Sequence, residues 1–465
     1  MYTGNLNNLI LNSDSYKTSH WLQYPPGSEY MSSYVEARKG DHDVLFFGLQ
    51  AFIKEYLQAP ITMAHIDEAE AVITAHGLPF NRTGWQRLVE KHDGFLPVRI
   101  QAVPEGSIVP VSNVVCQIVN TDPEFYWLPS YLETALLRAI WYPSTVASLS
   151  YFCKNVIKAA LQKSADSVDA LPFKLHDFGA RGGSSMETIA LGSLANLVNF
   201  SGTDSMTALV AASRWYGMDK DMPAFSIPAA EHSTMTAWGR QRETQAYDNM
   251  LEQFGGAGNT VAVVSDSYDL WNAIDNIWGD ALKNKVETMG GTLVIRPDSG
   301  NPAEVVCEAL QRLTARFGAT TNSKGYKILP DYVRLIQGDG INPQSIGKIL
   351  DTVMAAGFSA DNVTFGMGGG LLQQVNRDTM SWAMKASAIC IDDEWSDIFK
   401  DPITSQAKRS KKGRLALIKR ADDSLETIKE DALKDPADNL LQDVFVDGKL
   451  LVDESLTTIR ERTGW

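Results

Sequence analysis

The chain reads as an α/β protein: an irregular (β/α) barrel with an additional α+β part. Two observations predict this. From about residue 173, short β-type runs alternate with helical stretches, the pattern of a largely parallel sheet. Seven such runs follow one another, and most of them end in polar residues or glycine. In a (β/α) barrel the loops after the strands form one face, and that face carries the chemistry. A doubly wound open sheet is the structural rival, and it also places ligands at strand C-termini.

The elements follow in order. Residues 1–170 are expected to form an N-terminal α+β part. Phe47–Leu57 has helical apolar spacing, and Val98–Val103 and Val114–Val119 read as strands split by Pro104-Glu-Gly106 and Pro110. Two helices are expected near Tyr126–Ile140 and Thr145–Leu161. Residues 171–390 are expected to be the barrel. Its strands and their endings are Phe173–Leu175 into His176-Asp-Phe-Gly179, Leu197–Phe200 into Ser201-Gly-Thr-Asp204, Phe225–Ile227 into Pro228-Ala-Ala-Glu231-His232, and Val261–Val264 into Ser265-Asp266-Ser267. Thr292–Ile295 then runs into Arg296-Pro-Asp298, Val333–Ile336 into Gln337-Gly-Asp339-Gly340, and Val363–Phe365 into Gly366-Met-Gly-Gly-Gly370. Ser184-Ser-Met-Glu187 has the spacing of a helix capping box. Residues 391–465 are expected to return to the α+β part and to carry a basic loop.

Charge and cysteine usage exclude several classes. There are 42 Lys and Arg against 56 Asp and Glu among 465 residues, a net charge of −14. Bulk charge therefore does not hold nucleic acid or an anionic membrane, and any anion must be met by a local cluster. The four cysteines, Cys116, Cys153, Cys307 and Cys390, form no CxxC pair, which points to a reducing cytoplasm and away from a disulfide framework or zinc site. No secretory leader is expected from Met1–Lys17, and no run of 18 apolar residues exists to span a membrane.

The rim residues suggest an anionic substrate. Gly366-Met-Gly-Gly-Gly370 can bring backbone N–H groups to a phosphate, although it completes neither a dinucleotide fingerprint nor a Walker motif. Lys408-Arg-Ser-Lys-Lys-Gly-Arg414 places five cations in seven residues, either a solvated loop or a polyphosphate clamp. Lys385, Arg377 and Lys400 lie nearby in sequence. Asp204, Asp266, Asp298 and Asp339 are four carboxylates at separate strand ends, able to serve Mg²⁺, ribose hydroxyls or an amide N–H. His232, at a predicted helix start, is placed to meet phosphate. No HExxH, serine elbow or CxxC is present, so zinc and serine hydrolases lose support. No strand end supplies a Schiff-base lysine, so an aldolase does too.

These motifs resemble a known family. Asn12-Ser-Asp14-Ser-Tyr16-Lys17, His176-Asp-Phe-Gly179 with Arg181, Gly202-Thr-Asp204, Pro228-Ala-Ala-Glu-His232-Ser-Thr, Ser265-Asp-Ser-Tyr-Asp269, Arg296-Pro-Asp-Ser-Gly-Asn-Pro302, Gln337-Gly-Asp-Gly340, Gly368-Gly-Gly-Leu-Leu-Gln373 and the basic run at 408–414 resemble the nicotinamide phosphoribosyltransferases, of the type II phosphoribosyltransferase kind. The resemblance implies transfer of phosphoribosyl from 5-phosphoribosyl 1-diphosphate to nicotinamide in NAD salvage, with a nicotinate enzyme as the alternative. It implies a homodimer with shared sites, Mg²⁺ carried with the diphosphate, and ATP as co-substrate through a phosphohistidine at His232. It implies catalytic roles for His232, Glu231, Asp266 and Asp298. Phe178 and a partner copy's Tyr16 would sandwich the pyridine, Asp204 would accept from the carboxamide, and Arg296 and Asp298 would contact base and ribose. Gly338, Asp339, Gly368 and Gly369 would hold ribose and 5′-phosphate. Arg181, Arg377, Asp14, Arg38, Lys385, Lys400 and Lys408 would serve the diphosphate and ATP. Ala180 departs from the bulkier aromatic of the animal enzymes, and the loop after Arg38 and the C-terminal tail are short.

Overall fold

The computed structural model describes residues 7–218, 224–403 and 409–465. It divides into two compact units, one comprising Met1–Ser148, Arg214–Gly217 and Asn376–Trp465, the other Leu149–Ser213 and Met218–Val375. The expected boundaries at 170 and 390 therefore move. Strand Trp382–Ile391, assigned from sequence to the barrel, pairs with Ser28–Ala37 and so belongs to the first unit.

The first unit is built on a seven-stranded antiparallel sheet in the order Glu394–Asp397, Trp382–Ile391, Ser28–Ala37, Val114–Asn120, Val98–Ala102, Gln442–Val446, Lys449–Leu450. Neighbours in space come from both ends of the chain, and this is why the tail beyond 391 returns here. The Phe47–Leu57 stretch is a helix, α-helical over Leu49–Phe52 and widening to a π-turn over Ile53–Leu57. The two helices expected on either side of Pro143 are one continuous helix, Glu133–Ser164. Proline removes one main-chain donor and usually kinks or ends a helix. Here Gly48 packs on the ring: a Cβ at Gly48 would lie 2.3 Å from Pro143 Cγ. Ser144 adds side-chain bonds to Phe47 in both directions, at 3.1 and 3.0 Å. Trp85 stands edge-on to Trp127 and Tyr131, with centroids 4.8 and 5.2 Å away, in the core beside the sheet.

The second unit is the barrel. Its six-stranded sheet is parallel throughout, in the order Gly202–Thr203, Leu175–Asp177, Val363–Met367, Val333–Gln337, Thr292–Arg296, Thr260–Val264. The segment 225–230 closes the ring. Phe225 bridges Gly202 and Ala229 bridges Ala262, both parallel. Thr203 N donates to Phe225 O at 3.2 Å, and Ala262 N donates to Pro228 O at 2.9 Å. Seven staves thus follow one another around the barrel in chain order.

Two staves differ from the sequence reading. Leu197–Phe200 is not a strand: helix Met186–Leu197 runs into it, and the strand is Gly202–Thr203. That helix is buried on all sides from Gly192 to Leu197, so its apolar run carries no helical stripe and mimics a buried strand. The third stave has only single-residue bridges in place of a ladder. The helix after Gly183 is capped by Ser185, whose hydroxyl accepts from Thr188 N at 3.1 Å, one residue later than the predicted box.

The helix after the fifth stave shows how the outer layer is made. Asn301 caps it through Ala303 N, Pro302 occupies its first turn, and Gly318 ends it at φ +82°. Between them Val306, Ala309, Leu310, Leu313 and Phe317 form the buried stripe. Each large side chain there contributes roughly 1.5–3 kcal/mol of burial.

Candidate active site

Inside the barrel every second residue of a stave points to the axis. His176, Phe178, Ala262, Val294, Arg296, Arg334, Ile336 and Thr364 line a cavity of about 350 Å³. Phe178 lies across it because two glycines permit this. A Cβ at Gly366 would lie 2.0 Å from the Phe178 ring, and one at Gly338 would lie 3.2 Å from it. Gly366 therefore makes room for the Phe178 ring. Gly368 and Gly369 differ: a Cβ at Gly369 would meet nothing within 4 Å, and these two open the short helix Gly369–Leu372. Asp339 at the neighbouring stave end is exposed, and its carbonyl accepts from Gln337 Nε2 at 3.0 Å.

Two histidine–aspartate pairs stand at the stave ends. In the first, His176 Nε2 lies 2.8 Å from Asp204 Oδ1, and Ser226 Oγ donates to the same oxygen at 2.7 Å. Burial pushes the Asp204 carboxyl up, but the bonds from His176 and Ser226 and the charge of Arg296 outweigh it and hold the group below the ordinary carboxylate range. Beneath this pair, the fully buried Asp177 ties the loops together. It accepts from Gly179 N at 2.8 Å, Thr203 Oγ1 at 2.7 Å and Ser205 Oγ at 2.8 Å.

In the second pair, His232 Nε2 lies 2.9 Å from Asp266 Oδ1. The other Asp266 oxygen accepts from Asp298 N at 3.0 Å and Ser299 Oγ at 2.6 Å. Burial raises the Asp266 carboxyl, and the bonds from Ser299, His232 and the Asp298 amide more than reverse this, leaving it lowered. Asp298 is held by Arg296, with Nη2 2.9 Å from both oxygens. The Arg296 guanidinium also sits 5.3 Å over the Phe178 ring, so one residue joins the two groups. Glu231 accepts from Ser233 Oγ and caps the helix that His232 begins. Arg181 is exposed in the turn Ala180–Gly182.

The remaining predicted residues belong to the first unit. Tyr16 is exposed, edge-on to His20 at 4.9 Å. Asp14 accepts from Thr134 Oγ1 at 2.7 Å. Lys17 and Lys385 pair with Glu133, and the charges of Arg38 and Arg377 also act on Lys385. Burial lowers the Lys385 ammonium, Glu133 opposes this, and the three other cations lower it further. Arg38 is itself held by Glu36 at 3.0 Å. Sequence reading missed Lys17 and Glu133 in this group. They are 116 residues apart and are joined here by an ion pair.

In the basic run at 408–414, several cations have partners within the first unit. Lys411 pairs with the buried Glu36, Lys412 lies 5.4 Å over Phe399, and Arg414 pairs with Glu430 at 3.0 Å and covers Trp395. Those charges are engaged in holding the sheet. Lys400 is exposed, with its main-chain N bonded to Ser410 Oγ at 2.8 Å, and Lys408 lies outside the described residues. No helix among the described residues is long and apolar enough to cross a membrane.

Comparison with known proteins agrees with this architecture. A solved nicotinate-nucleotide pyrophosphorylase from Pyrococcus furiosus shares the fold, with a TM-score of 0.61 at 16% identity over 100% of this chain and 96% of that one. A parallel barrel joined to an antiparallel-sheet unit defines the class as the type II phosphoribosyltransferases. Residues 173–449 match the nicotinate phosphoribosyltransferase (NAPRTase) family, and residues 8–100 match the nicotinamide phosphoribosyltransferase N-terminal domain. A nicotinamide phosphoribosyltransferase of Xanthomonas campestris pv. campestris is 51% identical over 98% of both chains. Another, of Acinetobacter baylyi, is 30% identical over 97% of this chain and 95% of its own. The chain belongs to the NAPRTase family and, within it, to the nicotinamide phosphoribosyltransferases.

Proposed function

We propose that this chain transfers the phosphoribosyl group of 5-phosphoribosyl 1-diphosphate to the ring nitrogen of nicotinamide, giving nicotinamide mononucleotide and diphosphate in cytoplasmic NAD salvage. One observation carries the choice of base. Asp204 stands beside the Phe178 ring as an ionised acceptor, with one oxygen engaged by His176 and Ser226. Such a group accepts from a carboxamide N–H and repels a carboxylate.

The remaining roles follow from charge. Displacement at the sugar C1 builds positive charge on the ribose and negative charge on the diphosphate. Cations on the leaving group therefore stabilise the transition state more than the ground state. Lys385, Arg38, Arg377, Lys400, Lys408 and Arg181 are assigned to that task, Gly338, Asp339, Gly368 and Gly369 to ribose and 5′-phosphate, and Arg296 with Asp298 to base and ribose. Tyr16 of a second copy would cover the pyridine face opposite Phe178, which makes the working unit a homodimer. Active monomer in sedimentation velocity would refute that part.

ATP enters as a co-substrate. Asp266 holds one His232 ring nitrogen as N–H, which leaves the lone pair of the other to attack the γ-phosphorus. The phosphoryl group moves to His232, ADP leaves, and water later releases phosphate. Mg²⁺ is assigned no site made by protein alone. Among the described residues no group of three or more His, Cys, Asp or Glu could hold a metal ion, so diphosphate oxygens would carry it.

The test is product formation by purified protein from phosphoribosyl diphosphate with nicotinamide or nicotinate, with and without ATP. Product from nicotinamide alone, increased by ATP, is expected. Product from nicotinate instead would overturn the base assignment.

A further inference from the structure

His176 is left without a role by the reaction so far, yet it is the more sheltered partner of its pair. Its side chain is 13% exposed, against 47% for Asp204. The sequence makes room for it: a Cβ at Gly202 would lie 2.5 Å from His176 Nδ1, so the second stave must carry glycine there. The ring is tilted 56° against Phe178 at a centroid distance of 5.2 Å. Ser226 arrives from the third stave, which the Phe225–Gly202 bridge fixes in place. Three consecutive staves therefore converge on one oxygen of Asp204. An ionised carboxylate only accepts, so both partners donate. The aspartate χ2 torsion is broad and would otherwise let the carboxylate plane swing. Among the described residues the other oxygen, Oδ2, has no hydrogen-bond partner.

We infer that His176 and Ser226 are the positioning pair that fixes the Asp204 carboxylate plane, turns Oδ2 toward the carboxamide N–H, and thereby sets the preference for nicotinamide over nicotinate. This rests on the proposed reaction. The two residues act through Asp204 and need not touch the reacting atoms. The titratable and charged groups acting on Asp204 are His176 from the first stave and Arg296 from the fifth, and loss of His176 leaves Arg296 as the remaining cationic influence.

Steady-state kinetics on the full-length chain test this, with both bases, from pH 5.5 to 8.5. H176A is expected to raise KM for nicotinamide about tenfold, to change kcat less than about threefold, and to lower the nicotinamide-to-nicotinate ratio of kcat/KM about tenfold. H176Q, which keeps an N–H donor, recovers most of that loss. S226A gives the same signature at about threefold. On falling pH, H176A loses its preference for nicotinamide at a higher pH than wild type, because Asp204 has lost a donor that keeps it ionised. In a D204N background H176A adds less than about twofold. Should H176A unfold, G202A, which displaces the imidazole without removing it, gives the same readout. An H176A enzyme with unchanged KM and base preference, or with the same loss in the D204N background, overturns the inference while leaving the reaction intact. A wild-type chain that forms no product from nicotinamide overturns the reaction, and the inference with it.

Discussion

The two histidine–aspartate pairs at the barrel rim have the same chemistry and opposite orientation. In the His176–Asp204 pair the histidine is sheltered and the carboxylate faces out, 13% against 47% exposed. In the His232–Asp266 pair the histidine faces out at 48% and the carboxylate is 5% exposed. In the first pair the sheltered histidine helps hold the exposed carboxylate below its ordinary range. In the proposed reaction the first arrangement would offer a charged acceptor to the cavity, and the second would offer a ring nitrogen to ATP. The same two side-chain types would thus take different tasks because different ones are left in solvent.

The comparison breaks most readily at the exposed members. H232A is expected to abolish phosphate retention after ATP treatment and all ATP stimulation, measured with labelled ATP, while leaving the base preference of the residual reaction as in wild type. D266N, which removes the charge behind that histidine, should lower the ATP-dependent rate about 10–100-fold. D204N should reduce discrimination between nicotinamide and nicotinate by about 100-fold, read as a ratio of kcat/KM, with phosphorylation of His232 intact. If H232A changed base preference, or D204N abolished phosphorylation, the two pairs would be one device.

Smaller effects sharpen the comparison. Asp177 has three donors and no histidine. D177N would turn an amide toward a donor and cost about 1–3 kcal/mol in denaturant unfolding. Because Asp177 anchors the loops carrying Phe178 and Asp204, KM for nicotinamide should rise while ATP-dependent phosphorylation does not change. Asp204 and Asp266 are both lowered in the folded chain, so their stabilisation is present at neutral pH and lost as pH falls through their folded values. Glu105 in the first unit has the opposite sign. Burial pushes its carboxyl up to about 7, against bonds from Gln50 N at 2.7 Å and Tyr216 at 2.8 Å. Its contribution is full below the unfolded value and lost as pH rises through about 7. E105Q should therefore flatten the fall in thermal midpoint between pH 5 and 8.

Much of the rim was legible before any coordinates. A β-run followed by polar or glycine residues is a local pattern, and it located all seven stave ends even where the strand was misread, as at Leu197–Phe200. Pro143 misled because its ring packs against Gly48, 95 residues earlier in the chain, inside a continuous helix. The acids facing the basic run at 408–414 were not legible, because charge density in sequence says nothing about what stands opposite. Glu36 and Glu430 were waiting for Lys411 and Arg414.

The pairing of Ser226 and His176 with Asp204 was out of reach for the same reason. Their partner Asp204 is 22 and 28 residues away, and neither spacing is a recognisable motif. The sequence by itself determined an α/β chain of alternating strands and helices and a polar rim of aspartates and histidines at the strand ends, since these depend on periodicity and residue type. Only the tertiary structure decided that 225–230 closes the ring, that Gly366 makes room for Phe178, and which member of each pair is buried. Burial and hydrogen-bond convergence belong to packing between staves, and packing is a property of the closed barrel rather than of any one segment.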